Sequence, residues 1–159
     1  MIIWNIEKLA LKLKNNEITE KEKFIYFFIY IVLSGFVGYY TIEFASNLQR
    51  MIELLITSII TILGLLFCFN INQKGDGKVF IERYICLSLP ISIRIIVYGT
   101  LLYGLYMIIA LFTMSGYYDP TNDLLLDFVY TFLIQLVFYV LLYRWIRVIA
   151  NNKENKNSQ

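Results

Sequence analysis

Apolar runs and water-seeking segments alternate four times along this chain. The runs cover 24–45, 51–69, 91–114 and 124–146. At about 1.5 Å of rise per residue, each is long enough as a helix to cross a hydrocarbon core about 30 Å thick. The pattern predicts an all-α polytopic membrane protein, a bundle of four transmembrane helices in a single domain over 1–159. Helical periodicity adds two shorter elements. Ile2, Ile3, Ile6, Leu9, Ala10 and Leu13 share one face over 1–14, with Asn5, Lys8 and Lys12 on another. That amphipathic helix is expected to lie on the inner leaflet with its apolar face in lipid, Trp4 near its start. Residues 79–89 read as a second interfacial segment, and a bend is expected near Pro90 before the third span.

Punctuation residues fit this division. Asn15 and Asn16 end the first helix, and Thr19 followed by Glu22 forms a capping box ahead of the first span. Asn70 to Lys78, with Gly75-Asp76-Gly77, reads as a turn. Asp119-Pro120 reads as the start of the last helix. Short connections predict that spans one and two, and spans three and four, form tight antiparallel hairpins. The tail 151–159 is polar, rich in Asn and Lys, and expected to be disordered.

Charge gives the orientation. Of the 14 lysines and arginines, all but Arg50 fall before span one, between spans two and three, or after span four, with Arg94 counted in the second group and Arg144, at the end of span four, in the third. Short loops follow the positive-inside bias, so both termini and the central loop are expected in the cytoplasm of a bacterial-type inner (plasma) membrane. Cys68 and Cys86 then lie on the reducing side, and no disulfide is expected. The mixed-charge leader and the uncleavable apolar run make span one a retained anchor. Tyr39, Tyr40, Tyr117 and Tyr118 suggest an outer aromatic belt; Tyr26, Tyr84, Tyr143 and Trp145 suggest an inner one. The net charge of +2 is topological, and the dispersed cations predict no nucleic-acid partner.

Three groups of polar residues carry the candidate chemistry. On span two Glu53, Thr57, Thr61, Gly64 and Cys68 recur at helical spacing, and on span four Asp127, Thr131, Gln135 and Tyr139 do the same. Glu53, Thr57, Thr61 and Gln135 therefore form a candidate polar stripe, read as a packing seam with an interhelical amide or as a solute path. Glu82, Arg83 and Arg94 form a candidate inner-interface cluster. Arg94 either snorkels to headgroups or pairs with an acid or a phosphate-bearing ligand. Glu43, Asp119, Asp123 and Asp127 form a candidate outer acidic group, read as helix caps or as a vestibule for cations.

Chemistry is otherwise thinly represented. The chain has no His, two separated Cys, and a Lys74-Gly75-Asp76-Gly77-Lys78 turn without the spacing of a phosphate-binding loop. No catalytic residue, cofactor or metal is expected. The partners expected are the lipid bilayer and either a second copy of the chain, as a homo-oligomer, or another membrane protein. The residues favour a non-enzymatic membrane-embedded subunit or effector. An oligomeric carrier or channel for a cation or small solute is second, and an intramembrane or lipid-modifying enzyme third.

Overall fold

The computed structural model describes residues 2–40, 47–113 and 120–151. Among these residues the fold is five α-helices and no strand: α1 (Ile6–Lys14), α2 (Glu20–Tyr40), α3 (Asn47–Lys74), α4 (Phe80–Thr113) and α5 (Pro120–Ala150). Three of them contain stretches long and apolar enough to cross a membrane: Met51–Lys74, Phe80–Tyr106 and Phe128–Ala150. The first predicted span runs into residues 41–46, which lie outside the described part together with 114–119 and the tail beyond Asn151.

The ends of the helices show why the chain turns where it does. Asn5 caps α1, its Oδ1 accepting the Lys8 N–H at 2.9 Å, and Asn16 follows the helix at φ 55°, a left-handed conformation asparagine tolerates. The expected capping box is present: the Thr19 N–H donates to Glu22 Oε2 and the Glu22 N–H to Thr19 Oγ1, both at 3.3 Å. The Thr19 amide holds the Glu22 carboxyl below its ordinary range. Pro120 opens α5, where its missing N–H costs nothing.

Packing concentrates at one end. The buried core joins Ile6, Leu9 and Leu13 of α1, Tyr26 of α2, Cys68 of α3, Cys86 to Ile91 of α4 and Leu142, Ile146 and Ile149 of α5. Beyond it, α3 in particular presents Leu54, Leu55, Ile59, Ile62, Leu66 and Phe67 outward. α3 packs most extensively on α5, α5 also on α4, and α4 on α2, while α1 lies across α4 and α5. The helices thus follow one another in space as α2, α4, α5, α3.

This arrangement revises four expectations. First, the apolar face of α1 is buried in protein rather than free for lipid: Ile6, Leu9, Ala10 and Leu13 are each at most 5 % exposed, and the helix packs on α4 and α5. The backbone just before it is tied down as well. The Tyr26 hydroxyl accepts the Ile2 N–H at 2.6 Å and donates to the Ile2 carbonyl at 2.8 Å. Second, 79–89 is not a separate interfacial piece. α4 runs uninterrupted for 34 residues, about 51 Å, through Pro90, and Cys86 to Ile91 are fully buried. Third, Tyr26 and Tyr84 face protein rather than an inner aromatic belt. Fourth, among the described residues α2 shares no comparable interface with α3, so spans one and two do not form a tightly packed hairpin. A connection of 41–46 reaches about 20 Å when extended, enough to join helices that are not neighbours.

Candidate functional site

The stripe predicted on α3 faces α5. Its small residues set the distance between the two helices: a Cβ added at Gly64 would overlap the Tyr139 ring, and one at Gly75 would meet Ala150. One and two turns further along α3, Thr61 and Thr57 meet Gln135. The Gln135 Nε2 donates to the Thr61 Oγ1 at 2.8 Å and to the Thr57 carbonyl at 2.9 Å. Thr57 turns its own hydroxyl back to the Glu53 carbonyl at 2.8 Å, so Glu53 enters the stripe only through its backbone. Three of the four predicted stripe residues are therefore brought into direct contact. The Gln135 Oε1 is left buried with no partner.

A tyrosine node lies on the side of these contacts toward the α3–α4 turn. The Tyr84 hydroxyl is in side-chain hydrogen-bonding contact with Tyr30 and Tyr139, which links α2, α4 and α5. On the other side, the Tyr130 hydroxyl of α5 lies against Gly99 of α4. Arg94 lies on α4 between Tyr84 and Gly99, and Gln135 lies on α5 between Tyr139 and Tyr130. Arg94 and Gln135 thus lie between the same two α4–α5 contacts, each five residues from the Gly99–Tyr130 one. Arg94 has no hydrogen bond or ion pair among the described residues, and its Nε is buried without an acceptor.

The predicted inner-interface cluster is not one site. Glu82 goes to α2, where its Oε2 accepts from Lys23 Nζ at 2.6 Å; Lys23 also reaches Glu20 at 2.7 Å. These bonds, Glu20 first and Glu82 second, raise the Lys23 ammonium above its ordinary pKa. Arg83 turns instead toward the α3–α4 turn. It is 2 % exposed, and its guanidinium forms a two-pronged pair with Asp76, at 2.6 Å to Oδ1 and 2.5 Å to Oδ2, while donating to Asn72 Oδ1 at 2.8 Å. Asn72 is wholly buried and organises the turn: its carbonyl accepts the Gly75 and Gly77 N–H groups and its Nδ2 donates to the Lys78 carbonyl at 3.2 Å. Burial pushes the Asp76 carboxyl up, but Arg83 and the Lys78 N–H outweigh it and hold it below its ordinary range.

Sequence reasoning missed Asn72 and Asp76. Both lie in the polar segment it read as a turn, and an asparagine followed within a few residues by Gly-Asp-Gly and then by an arginine was the available signal. Of the outer acidic group, Glu43 and Asp119 lie outside the described residues, while Asp123 and Asp127 lie on α5 where side chains are outside the description. Cys68 and Cys86 are free thiols, both buried. Among the described residues no group of His, Cys, Asp or Glu converges as a metal site. The arrangement can hold helices together and present an uncompensated cation in an apolar helix. Comparisons with protein-family models, curated proteins and solved structures gave no match.

Proposed function

We propose that this chain is a small non-enzymatic integral membrane subunit or effector that assembles with a different membrane protein through the polar layer of α4. Arg94 carries the reading. It sits 14 residues into α4, about 21 Å along the helix axis, in an otherwise apolar stretch. An unpaired arginine at such depth costs about 3 kcal/mol on insertion scales, and intramembrane ionisable groups characteristically have partners. None of the described side chains of this chain supplies one. No Asp or Glu occurs at 23–42, 54–75, 83–118 or 128–153, so a second copy brings no carboxylate to the level of Arg94 either. A carboxylate within a spanning helix of another protein satisfies the guanidinium, and the small and polar seams α3 and α5 use for each other leave α4 as the face for that helix.

The orientation argued from the basic residues completes the reading: four spans in a bacterial-type plasma membrane, with both termini and the α3–α4 turn in the cytoplasm. Sites of assembly then lie within the bilayer, and the inner end serves as a rigid base.

Native gel electrophoresis of membranes from cells expressing the chain tests this. Arg94→Leu should release the chain from its larger complex and Arg94→Lys should keep most of it; a complex that survives Arg94→Leu unchanged sinks the proposal. One observation favours a carrier instead. The buried Gln135 Oε1 and Arg94 Nε are an acceptor and a donor without partners, and both lie between the tyrosine node and the Tyr130–Gly99 contact. A solute held there would be an anion rather than a cation, and uptake by proteoliposomes of the purified chain alone distinguishes this reading from assembly.

A further inference from the structure

The cations of the inner end fall into three groups, one of which, Lys8, Lys12, Lys21 and Lys78, has no ion pair among the described residues and lines neither of the cavities beside the end of α5. Lys23 and Arg83 are spent on Glu20, Glu82 and Asp76. Lys14, Lys74, Arg144 and Arg147 have no acid partner among the described residues, and all four line cavities on either side of the end of α5. The larger, of about 500 Å³, lies between α1 and α5. Lys14 from the last turn of α1 and Arg144 from α5 flank it, Leu11, Trp145 and Val148 give it an apolar wall, and Glu7 stands on its α1 side.

Its chemistry is divided in a way that selects the occupant. Two uncompensated cations suit a phosphate, because Arg offers a planar fork and Lys a compact charge to its oxygens. A soluble anion would have no use for the rim. Leu11 and Val148 are 60 % and 51 % exposed and continue into the apolar outer surface of the helices, and Trp145 is the side chain most often found where headgroups meet acyl chains. The buried face of α1 packs that helix on α5, so the backbones that carry Lys14 and Arg144 are set by the core, while the Arg144 side chain itself is exposed.

We propose that the α1–α5 cavity binds an anionic glycerophospholipid of the adjacent leaflet, its phosphate held by Lys14 and Arg144 and its ester region lying against Trp145, Leu11 and Val148. Glu7 accepts hydrogen bonds from headgroup hydroxyls, which favours a singly charged glycerol headgroup over a multiply phosphorylated one. The proposal rests on insertion in a membrane and not on the assembly argued from Arg94.

Native mass spectrometry of the full chain in detergent, titrated separately with phosphatidylglycerol and phosphatidylcholine, tests it. Phosphatidylglycerol should bind preferentially. Lys14→Gln and Arg144→Gln should each weaken it about tenfold, the loss of one charge-assisted contact. Lys8→Gln with Lys12→Gln, on another face of α1, should not. Leu11→Ser, an exposed change that leaves the core intact, should weaken the lipid without adding any affinity for glycerol phosphate. Equal binding of phosphatidylcholine, or equal loss in the Lys8/Lys12 control, would overturn the site in favour of bulk surface charge. Competition by soluble glycerol phosphate at concentrations matching the lipid would overturn the lipid as its source. Melting temperatures in lipid-free detergent, expected to be unchanged by all these variants, separate lost binding from lost folding.

Discussion

Two arginines eleven residues apart on α4 meet opposite surroundings. Arg83, beside the α3–α4 turn, is 2 % exposed and has its two terminal nitrogens aimed at Asp76 with Asn72 in support. Arg94, in the apolar stretch, has no partner among the described residues. Arg94 is partly buried where Arg83 is fully buried, yet each leaves its Nε buried and unbonded. The difference lies in what the chain supplies nearby. At the α3–α4 turn the polypeptide leaves one helix and enters another, and the turn provides a carboxylate, an amide and free backbone groups. Within the helical layer the backbone is engaged in the helix, and among the described residues no carboxylate pairs with Arg94. The end at the α3–α4 turn is thus self-sufficient, whereas the mid-helix layer leaves a guanidinium for the partner we propose.

The largest effect expected is therefore at the Arg83 clamp. Removing one member of a buried pair strands the other, a loss of 3–5 kcal/mol in general. Asp76 is itself 18 % exposed at its side chain, which places Asp76→Ala at the low end, about 3 kcal/mol. The pH dependence has a definite sign. A carboxyl whose folded pKa is depressed contributes stability above its unfolded pKa, about 3.9, and loses it as pH falls through the lower folded value. Unfolding of the purified protein followed from pH 7 to pH 2 should show that loss below about pH 4, and Asp76→Asn should lack that part of the slope. An Asp76→Ala protein as stable as the parent would remove the contrast between the two arginines.

Gly64 comes next. A methyl group there overlaps the ring of Tyr139, so Gly64→Ala should force α3 and α5 apart at a cost of about 2 kcal/mol. Pairing it with Tyr139→Leu tests the contact itself. The double variant should be less unstable than the sum of the two single ones, because the smaller side chain yields the space the methyl group needs. Strict additivity would mean the helices do not meet at these residues.

Gln135→Leu should do less, changing stability by about 1 kcal/mol or under in either direction. The substitution removes two donated bonds but also removes the stranded Oε1, and Thr61 can turn its hydroxyl to its own helix. Combined with Arg94→Leu it sharpens the comparison: the layer then has nothing polar from α4 or α5, and the isolated protein should be no less stable than the parent.

What the sequence made legible follows from period and what it hid follows from turns. Steps of four along Thr57 and Thr61, and along Asp127, Thr131 and Gln135, placed each set on one face, and the Gln135 amide indeed spans to both threonines. The apolar face of α1 was legible from Ile6, Leu9 and Leu13, but periodicity identifies a face without saying whether lipid or protein covers it. Pro90 suggested a bend after a separate interfacial segment, yet α4 is one helix through it, and Cys86 to Ile91 pack on protein. Grouping Glu82, Arg83 and Arg94 by proximity in sequence failed because adjacent helix positions point about 100° apart. Glu82 thus reaches α2, while Arg83 reaches back to the turn.

The smallest effect belongs to the bridge from Glu82 to Lys23, and it delimits the comparison. The Lys23 side chain is 22 % exposed and that of Glu82 39 %, so water competes for both. Exposed pairs contribute about 0.5 kcal/mol, and their attraction is screened within about 3 Å at 1 M salt. Glu82→Gln should cost about that much at low ionic strength and nothing measurable in 1 M NaCl. Because the Lys23 pKa is raised in the folded protein, the contribution is complete below the ordinary lysine pKa and is lost as pH rises through the higher folded value. The Asp76→Ala cost should persist in the same high salt, since a pair that excludes water also excludes ions. If salt erased both costs alike, the clamp at Arg83 would be as open to solvent as the bridge at Lys23. The end at the α3–α4 turn would then have no claim to be the self-sufficient half of the molecule.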